Sequence, residues 1–361
     1  MGKFYSLKNI LKTDSIYNVI FGGRSNGKTY AVHEYGIQRY WKRREQMALI
    51  RRYRDDFTGK RGAQMFDNQV FSGNIKRITG GVWDEVYYWR SAWYLSKHAE
   101  NGEIIRDEVP FCYGFSLASM EHDKSTSYPN ITTILFDEFI TRSMYLNDEF
   151  VTFMNVLSTI IRHRTNVKIF MIGNTVNKYC PYFKEMGLSH IKDMREGDID
   201  VYRYGDSKLR VAVEYSVNRT GKESSMYFAF DNPKLSMITG SAWEIDIYPH
   251  CPVKYKPKDI LLTYFIKFDD ALLQCEIVST GTHFFTFIHP KTTPIHDEDR
   301  DIIFSSAYDP RPNHTRRITR PVNDWQRKIY WFFQTDRVYY SDNEVGEVVR
   351  NYLKWCESTR T

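Results

Sequence analysis

The residues best suited to do chemistry lie between Asn18 and Tyr30, in the segment NVIFGGRSNGKTY. Its glycines, lysine and threonine follow the G-x-x-x-x-G-K-[ST] spacing of a phosphate-binding loop. Glycines allow successive backbone N–H groups to face phosphate oxygens, and the N-terminus of a following helix favours an anion. The pattern therefore predicts a nucleoside triphosphate site, and the alternative is a glycine-rich turn without a ligand. The residues of the predicted site are Gly22, Gly23, Arg24, Ser25, Asn26, Gly27, Lys28 and Thr29.

Three side chains of that loop have individual predictions. Lys28 would reach the β and γ oxygens of the triphosphate, and the Thr29 hydroxyl would be a ligand of Mg²⁺. Arg24 either contacts phosphate or lies in solvent.

A second chemical group lies in the segment ITTILFDEFI, residues 131–140. Its β-branched and apolar residues predict a buried strand that delivers Asp137 and Glu138 at its C-terminal end, where open α/β sheets bind ligands. Asp137 would join Thr29 in the Mg²⁺ shell, and Glu138 would polarise the water that attacks the γ-phosphate. A solvated strand end is the alternative. Because the Glu is next to the Asp, the pair favours a hydrolase over a kinase.

The elements that must position these residues begin with strand, loop, helix and strand. Apolar spacing predicts a helix over residues 28–44, and QMALIRRY predicts a buried strand over residues 46–53, which together start a parallel α/β sheet. A helix over residues 147–163 and a strand over residues 167–172 follow. Asn174 comes directly after that strand and either senses the γ-phosphate or closes the strand as a turn residue.

Between residues 74 and 119 the pattern changes to short alternating segments rich in Trp and Tyr. Asn101-Gly102 is a hairpin signal between strands over residues 93–96 and 104–106. We expect antiparallel strands added to the parallel core.

Composition indicates a folded, globular protein: of 361 residues, 16% are aromatic and 26% are charged. No apolar run approaches the ~18 residues of a membrane span, and residues 1–12 lack the apolar core of a signal peptide, so we expect a cytoplasmic protein without a membrane partner. The five cysteines are scattered, which argues against a disulfide framework or a zinc site. They are Cys112, Cys180, Cys251, Cys275 and Cys356.

The net charge of +6 is mild evidence for a polyanionic partner. Nine Lys or Arg residues and three acids lie between Arg39 and Arg61. On composition alone, a solvated basic face and a nucleic-acid track are equally compatible with this segment.

Four segments in this order make the chain resemble the DNA-packaging ATPases of phi-29-like phages, small relatives of the large terminase motors of tailed viruses. The segments are GGRSNGKTY, LIRRY, EHDKSTSYPNITTILFDEF and STIIRHR. The likeness covers residues 18 to about 183. It implies an ATPase domain of the P-loop ASCE type with a central, mostly parallel sheet. It also implies a homomeric ring, a pentamer, at the portal vertex of an empty procapsid in the host cytoplasm, which drives double-stranded DNA inward with ATP and Mg²⁺.

The resemblance also implies residue roles. Lys28, Thr29, Asp137 and Glu138 fall on the nucleotide site of that family, and Arg162 falls on its trans-acting arginine finger. Lys124 matches a second basic position that acts in trans. Without the resemblance, Arg162 is a helix C-terminal arginine that complements the dipole.

Lys60 and Arg61 belong to a glycine-containing basic loop, residues 56–62, and are predicted contacts to DNA phosphates. Such contacts carry no sequence information, which suits a motor that moves any sequence. Arg51 and Arg52 end the second strand on the nucleotide side, where the adenine or a subunit interface is their expected partner.

The predicted domains are an ATPase domain over residues 1–197, a linker subdomain over 198–248 with a short strand at 210–215, and a C-terminal domain over 249–361. In the last domain, strands over 260–268, 271–279 and 283–289 form a meander, and helices follow. This order is compatible with the RNase H-like nuclease domain of large terminases. Its first strand has no acidic residue, so we expect a vestigial nuclease used for docking.

Two alternatives stay open: a terminase large subunit with an active nuclease, and a non-translocating P-loop ATPase of virion assembly. The sequence also leaves open whether a structural RNA lies between the motor and the portal or connector.

Overall fold

The structure is a computed structural model that describes residues 4–122, 127–141, 145–146, 148–175, 180–217 and 248–358. The chain divides into two compact units, of which the first ends at Trp243 and the second begins at Glu244. Each unit has its own sheet.

Over the described residues, the first unit contains a sheet of ten strands. Across the sheet the order is β3-β4-β6-β2-β7-β8-β1-β10-β9, and β5 pairs with β4 outside this row. The strands are β1 (Tyr17–Gly22), β2 (Gln46–Arg51), β3 (Glu85–Trp89), β4 (Ala92–His98), β5 (Ile104–Arg106), β6 (Cys112–Ser116), β7 (Ile131–Asp137), β8 (Lys168–Asn174), β9 (Ile199–Arg203) and β10 (Arg210–Ser216).

The α-helices of the first unit are α1 (Lys8–Leu11), α2 (Lys28–Arg43), α3 (Gly59–Ala63), α4 (Asp67–Phe71), α5 (Asn74–Thr79), α6 (Glu149–Ile161) and α7 (Pro181–Glu185). Short 3₁₀ helices occupy Arg54–Phe57, Gln64–Phe66, Leu117–His122 and Ser189–Lys192.

The strands from β6 through β2, β7, β8 and β1 to β10 are mutually parallel, so their carboxyl ends meet at one edge of the sheet. Successive residues of β7 enter cores on opposite faces: Phe136 packs in one core with Phe153 of α6, and Leu135 packs in the other with Val32 of α2. Burial on both faces explains why β7 is an unbroken apolar run. The predicted mixed α/β fold around a largely parallel sheet is confirmed.

Residues 54–79 differ from the prediction, because a chain of short helices lies where the sequence pattern favours loop and strand. Gly73 and Gly80 take left-handed conformations at the two ends of α5, which limits this helix to six residues. Helices of five or six residues are too short to show a 3.6-residue period in the sequence.

Residues 199–216 also differ from the prediction, since they are strands of the main sheet rather than a linker subdomain. β10 pairs in parallel with β1 over the whole length of β1, and β9 pairs antiparallel with β10. The sequence signal is weak because only Val211, Ala212 and Val213 form a clear apolar run between polar flanks, although all three are buried.

The second unit contains a sheet with the order β15-β14-β11-β12-β13-β16 over the described residues. Its strands are β11 (Ile260–Phe268), β12 (Ala271–Ser279), β13 (Phe284–Pro290), β14 (Ile302–Ser305), β15 (His314–Thr315) and β16 (Val338–Tyr340). A 3₁₀ turn at Pro257–Asp259 precedes them, and α8 (Asp324–Gln334) and α9 (Asn343–Ser358) are the helices. The meander β11–β12–β13 is antiparallel, as predicted, and β14 pairs in parallel with β11.

None of the helices in the described part of the chain is both long enough and apolar enough to cross a membrane.

Candidate nucleotide site

The loop between β1 and α2 places the predicted phosphate-binding residues at the carboxyl edge of the sheet. Gly27 precedes α2 with a φ of 90°, a left-handed conformation that favours glycine. Gly22 lies so close to β10 that a Cβ atom there would be 2.8 Å from the Ser216 carbonyl oxygen. The backbone therefore requires glycine at both ends of the motif.

Lys28 is the first residue of α2, and it is buried. Its ammonium group donates to the Gly23 carbonyl at 2.6 Å, to the Gly22 carbonyl at 3.3 Å and to Asn174 Oδ1 at 3.4 Å. Burial lowers the Lys28 pKa to about 8, and the nearby Asp137 carboxylate only partly offsets this effect. The cation is thus held by neutral carbonyl oxygens, which phosphate oxygens would replace with stronger, charged acceptors.

Thr29 and Asp137 form the predicted metal-binding pair. The Thr29 hydroxyl donates to Asp137 Oδ1 at 3.2 Å, and Asp137 is buried at the end of β7. A hydroxyl and a carboxylate are the oxygen donors that suit a Mg²⁺ ion whose other ligands are water and phosphate. In the described residues no cluster of three or more His, Cys, Asp or Glu side chains forms a metal cage. The Thr29 hydroxyl and the Asp137 carboxylate are donors that fit a nucleotide-bound Mg²⁺.

Glu138 follows Asp137 in a left-handed conformation with a φ of 60°, and its side chain is 62% exposed. Its carboxylate is paired with Arg51, which ends β2: Arg51 Nη1 donates to Glu138 Oε2 at 2.8 Å, and Nη2 donates to Asp137 Oδ2 at 2.8 Å. Burial disfavours the charged guanidinium, but the two carboxylates outweigh it, so the Arg51 pKa is raised. One arginine therefore bridges both acidic residues of the predicted hydrolytic pair.

The end of β10 supports the loop from one side, which the sequence pattern does not predict. Asn26 Nδ2 donates to Ser216 Oγ at 3.1 Å and to the Val217 carbonyl at 3.2 Å. Ser216 Oγ in turn donates to the Phe21 carbonyl at 3.0 Å. Ser216 is fully buried and belongs to no sequence motif. Its contact with the loop could therefore be found only from the pairing of β10 with β1.

A cavity of about 930 Å³ lies beside the phosphate-binding loop and the ends of the parallel strands. The loop residues from Ser25 to Thr29 line it, together with Asp137, Glu138 and Asn174 at the strand ends. The structure thus brings the predicted phosphate, metal and water-activating residues to one pocket. Asn174 lines it and contacts Lys28, as a γ-phosphate sensor would.

Another part of the cavity lining comes from residues that the sequence pattern does not assign to a nucleotide site. Asp56, Arg61, Gln64, Met65 and Asn68 line it from the short helices after β2. The exposed Phe4 side chain lines it beside Gly27.

His33 of α2 also lines the cavity and is buried. Burial and the nearby Arg51 charge lower the His33 pKa to about 3, so the imidazole is neutral at physiological pH. Its ring packs against Phe66, with the ring centroids 4.2 Å apart.

Other predicted residues lie away from the cavity. Arg24 is exposed at the outer side of the loop and Lys60 is exposed on α3, and neither lines the cavity. Gly22 and Gly23 contribute through the carbonyl groups that hold Lys28. Lys124 lies outside the described residues.

Arg162 directly follows α6 and is exposed. Because α6 leads from the carboxyl edge of the sheet back to the start of β8, Arg162 is remote from the cavity of its own chain and does not line it. Arg164 contacts the end of α6: its guanidinium donates to the Ile160 carbonyl at 2.6 Å and to the Ile161 carbonyl at 3.0 Å.

A buried ion pair ties the start of α6 to the residues around Glu138. Arg52 donates from Nε and Nη2 to Glu149 at 2.7 and 2.8 Å, and Nη2 also donates to the Phe139 carbonyl at 3.0 Å. Glu149 additionally accepts from the Tyr182 hydroxyl at 2.8 Å. The pair links the ends of β2 and β7 to the first turn of α6.

Comparison with known families identifies the chain. The family described as Podovirus DNA encapsidation protein (Gp16) matches residues 1–82 and 104–219. The chain belongs to this family. DNA packaging proteins of Bacillus phage phi29 and Bacillus phage PZA are each 29% identical to this Gp16-family chain over 185 residues. That match covers 50% of this chain and 49% of each relative, so the chain matches about half the length of these curated relatives.

Solved structures support the fold of this Gp16-family member along its length. The chain of "The bacteriophage Phi-29 viral genome packaging motor assembly" superimposes with a TM-score of 0.57 at 19% identity, over 97% of both chains. The chain of "The Phi-28 gp11 DNA packaging Motor" superimposes with a TM-score of 0.54 at 18% identity, over 100% of both chains. At these identities the likeness establishes the fold.

Proposed function

We propose that this chain is the ATP-hydrolysing subunit of a motor that translocates double-stranded viral DNA into an empty procapsid. The observation that carries the proposal is the convergence of Lys28, Thr29, Asp137 and Glu138 on one cavity at the carboxyl edge of a parallel sheet. The four side chains are those that an ATPase of the P-loop ASCE type requires.

In this proposal each side chain has one task. Lys28 leaves the loop carbonyls and pairs with the β and γ oxygens of ATP. Thr29 and Asp137 hold Mg²⁺, which neutralises negative charge on the phosphates when it is bound. Glu138 orients the attacking water once its carboxylate is released from Arg51. Asn174 stays within reach of the γ-phosphate through its contact with Lys28.

The ring arrangement rests on Arg162. Its exposed position far from its own cavity suits a finger that enters the site of a neighbouring subunit. Such a finger is worth roughly 10³ to 10⁵ in rate. We therefore propose a homomeric ring, with five subunits by family resemblance, that assembles on the portal in the host cell and acts on DNA. Lys124 is proposed as a second trans-acting cation on the same grounds of resemblance.

We further propose that the second unit is an RNase H-like domain without nuclease activity. The order β13-β12-β11-β14-β15, with an antiparallel meander and a parallel fourth strand, supports this class. Two-metal cleavage needs clustered carboxylates. Here Lys267 of β11 pairs with Glu298 at 2.6 Å, and Arg311 pairs with Asp309 at 2.7 Å. Because both acids are paired with cations, we propose that they do not bind catalytic metal ions. The domain would then serve in docking rather than in DNA cleavage.

A packaging assay tests the function. Purified procapsids, double-stranded DNA, ATP and Mg²⁺ are combined with wild-type protein or with Glu138→Gln. We expect DNA-stimulated hydrolysis and nuclease-resistant DNA in the capsids with wild type, and loss of both with the variant. Glu103→Gln, at an exposed hairpin position, is the matched control. Equal hydrolysis by wild type with and without DNA, and empty capsids, would refute the proposal.

The trans role of Arg162 needs a mixing test. Arg162→Ala and Glu138→Gln should each be inactive alone. When they are mixed, some interfaces combine an intact Arg162 with an intact Glu138, so hydrolysis should return. If normal rings form and no activity returns, the finger does not act between subunits.

A further inference from the structure

Arg61 belongs to a segment that lines the proposed nucleotide cavity together with the phosphate-binding loop. Residues from Gly59 to Phe71 are successive short helices, α3, the 3₁₀ turn Gln64–Phe66 and α4. Their side chains separate into faces with helical spacing. The cavity is lined by Arg61, Gln64, Met65 and Asn68, which follow the i, i+3, i+4, i+7 pattern of one face.

The other faces of this segment have different environments. Gly62, Phe66 and Gln69 are buried against the rest of the first unit, whereas Lys60 and Ala63 are exposed, as are Arg61, Gln64 and Asn68 of the cavity face. Lys60 and Arg61 are adjacent in sequence and alike in charge, but of the two only Arg61 lines the cavity.

This segment is fixed at both ends by buried groups. The indole of Trp93, which is fully buried, donates to the Gly62 carbonyl at 2.8 Å. A side chain at position 62 would collide with Tyr88 and with the Phe57 carbonyl, so the backbone after Arg61 sits tightly against its neighbours. At the other end, Gln69 donates to the Tyr30 carbonyl at 2.9 Å, one residue beyond Thr29. The segment thus holds a set position relative to the phosphate-binding loop.

Within the described residues, the Arg61 guanidinium has neither an ion pair nor a side-chain hydrogen bond. Two other cations among the described lining residues are already engaged: Lys28 with loop carbonyls and Arg51 with the carboxylates of Asp137 and Glu138. A guanidinium suits two oxygens of a phosphate chain because its N–H groups form a planar fork.

We propose that Arg61 is a nucleotide-binding residue that contacts the phosphate chain in the cavity it shares with Lys28, rather than a DNA contact. The proposal rests on the nucleotide site proposed above and adds a cis-acting cation to it. Lys60, on the solvent face of the same helix, has no part in nucleotide binding.

The test compares Arg61→Ala with Lys60→Ala in the full-length protein. Affinity for a fluorescent, non-hydrolysable ATP analogue with Mg²⁺ is measured by titration, and affinity for a short DNA duplex is measured separately without nucleotide. We expect Arg61→Ala to lower the affinity for the analogue by about tenfold or more, the usual loss for a charge-assisted hydrogen bond. The analogue affinity of Lys60→Ala should stay within about twofold of the wild-type value. Arg61→Lys should be intermediate, because lysine supplies a point charge without the fork.

Controls separate the possible failures. Thermal unfolding without nucleotide checks the fold, and Arg61→Gln replaces Arg61→Ala if alanine destabilises the protein. If Arg61→Ala binds the analogue as tightly as wild type, the role of Arg61 is overturned, whereas the proposed nucleotide site is not. Reduced DNA affinity in both variants with unchanged analogue affinity overturns it in favour of a DNA track. Absence of analogue binding by wild type overturns the proposed nucleotide site and, with it, this role.

Discussion

Arg51 and Glu138 are joined by a 2.8 Å hydrogen bond between Nη1 and Oε2, while the same guanidinium holds Asp137 at 2.8 Å. Under the proposed roles of Asp137 and Glu138, the guanidinium would compete with Mg²⁺ for the first carboxylate and with water for the second. The Arg51 side chain is only 16% exposed, so solvent screens this interaction less than it screens a surface pair. In the proposed mechanism, Arg51 would have to release at least one carboxylate before hydrolysis.

Replacement of Arg51 should make Mg²⁺ easier to bind. In Arg51→Ala a positive charge beside Asp137 is lost, so we expect the Mg²⁺ concentration for half-maximal ATP-analogue binding to fall by about tenfold, an order-of-magnitude value for a partly buried charge. Titration of Mg²⁺ at fixed analogue concentration measures this. Arg54 is an exposed arginine in the 3₁₀ helix that follows β2. Arg54→Ala is therefore the control, and it should leave the Mg²⁺ concentration for half-maximal binding unchanged. An unchanged or higher Mg²⁺ requirement in Arg51→Ala would show that Arg51 does not compete with the metal.

Nucleotide affinity should fall at alkaline pH because of Lys28. Burial lowers the Lys28 pKa to about 8, so the free protein loses this cation as the pH rises above 8. If binding requires the ammonium form, the dissociation constant of the ATP analogue should rise by up to about tenfold per pH unit between pH 8 and 10. Titrations from pH 7 to 9.5 measure this. A dissociation constant that stays flat to pH 9.5 would mean that Lys28 stays protonated in the free protein.

The phosphate loop, the acidic pair and the strands and helices next to them could be predicted from sequence because each leaves a local signal. Lys28 and Asp137 belong to motifs with fixed spacing, and β7 is an unbroken apolar run buried on both faces. The boundaries of α2 agree with the prediction within one residue at each end, and β7 ends at Asp137, the residue that the pattern places at the C-terminal end of this strand.

Contacts between distant segments could not be predicted in this way. Arg51 lies 87 residues from Glu138, and Asn26 lies 190 residues from Ser216. Nothing in the spacing of either pair indicates that they meet. The charge of Arg61 predicts a DNA contact, whereas its place in the lining of the cavity depends on the buried contact between Trp93 and Gly62, which its charge does not indicate.

His33 should make the protein sensitive to acid. Its folded pKa of about 3 lies below the ordinary value of 6.5, so the unfolded chain takes up a proton that the folded chain does not between these values. Stability is therefore lost as the pH falls below 6.5, by about 1.4 kcal/mol at pH 5.5. His33→Leu lacks this group, so its unfolding midpoint in urea should fall less than that of wild type between pH 7.5 and 5.5. Equal losses in both proteins would exclude His33 as the cause.

The Arg52–Glu149 pair should couple strongly in a double-mutant cycle. Its side chains are 6% and 1% exposed, so removal of either partner leaves a buried charge and should cost about 3–5 kcal/mol of unfolding free energy. The double variant Arg52→Met/Glu149→Leu leaves neither charge of the pair without its partner. Its loss of unfolding free energy should therefore be about 2 kcal/mol smaller than the sum of the losses in the two single variants. Urea unfolding followed by circular dichroism supplies the four free energies. The exposed pair Arg327–Asp324, at 59% and 87% exposure, is the matched control and should couple by under about 1 kcal/mol. Additive losses at Arg52 and Glu149 would mean that each side chain is stabilised by its other partners, such as Phe139 and Tyr182, and that the pair does not tie α6 to the catalytic edge of the sheet.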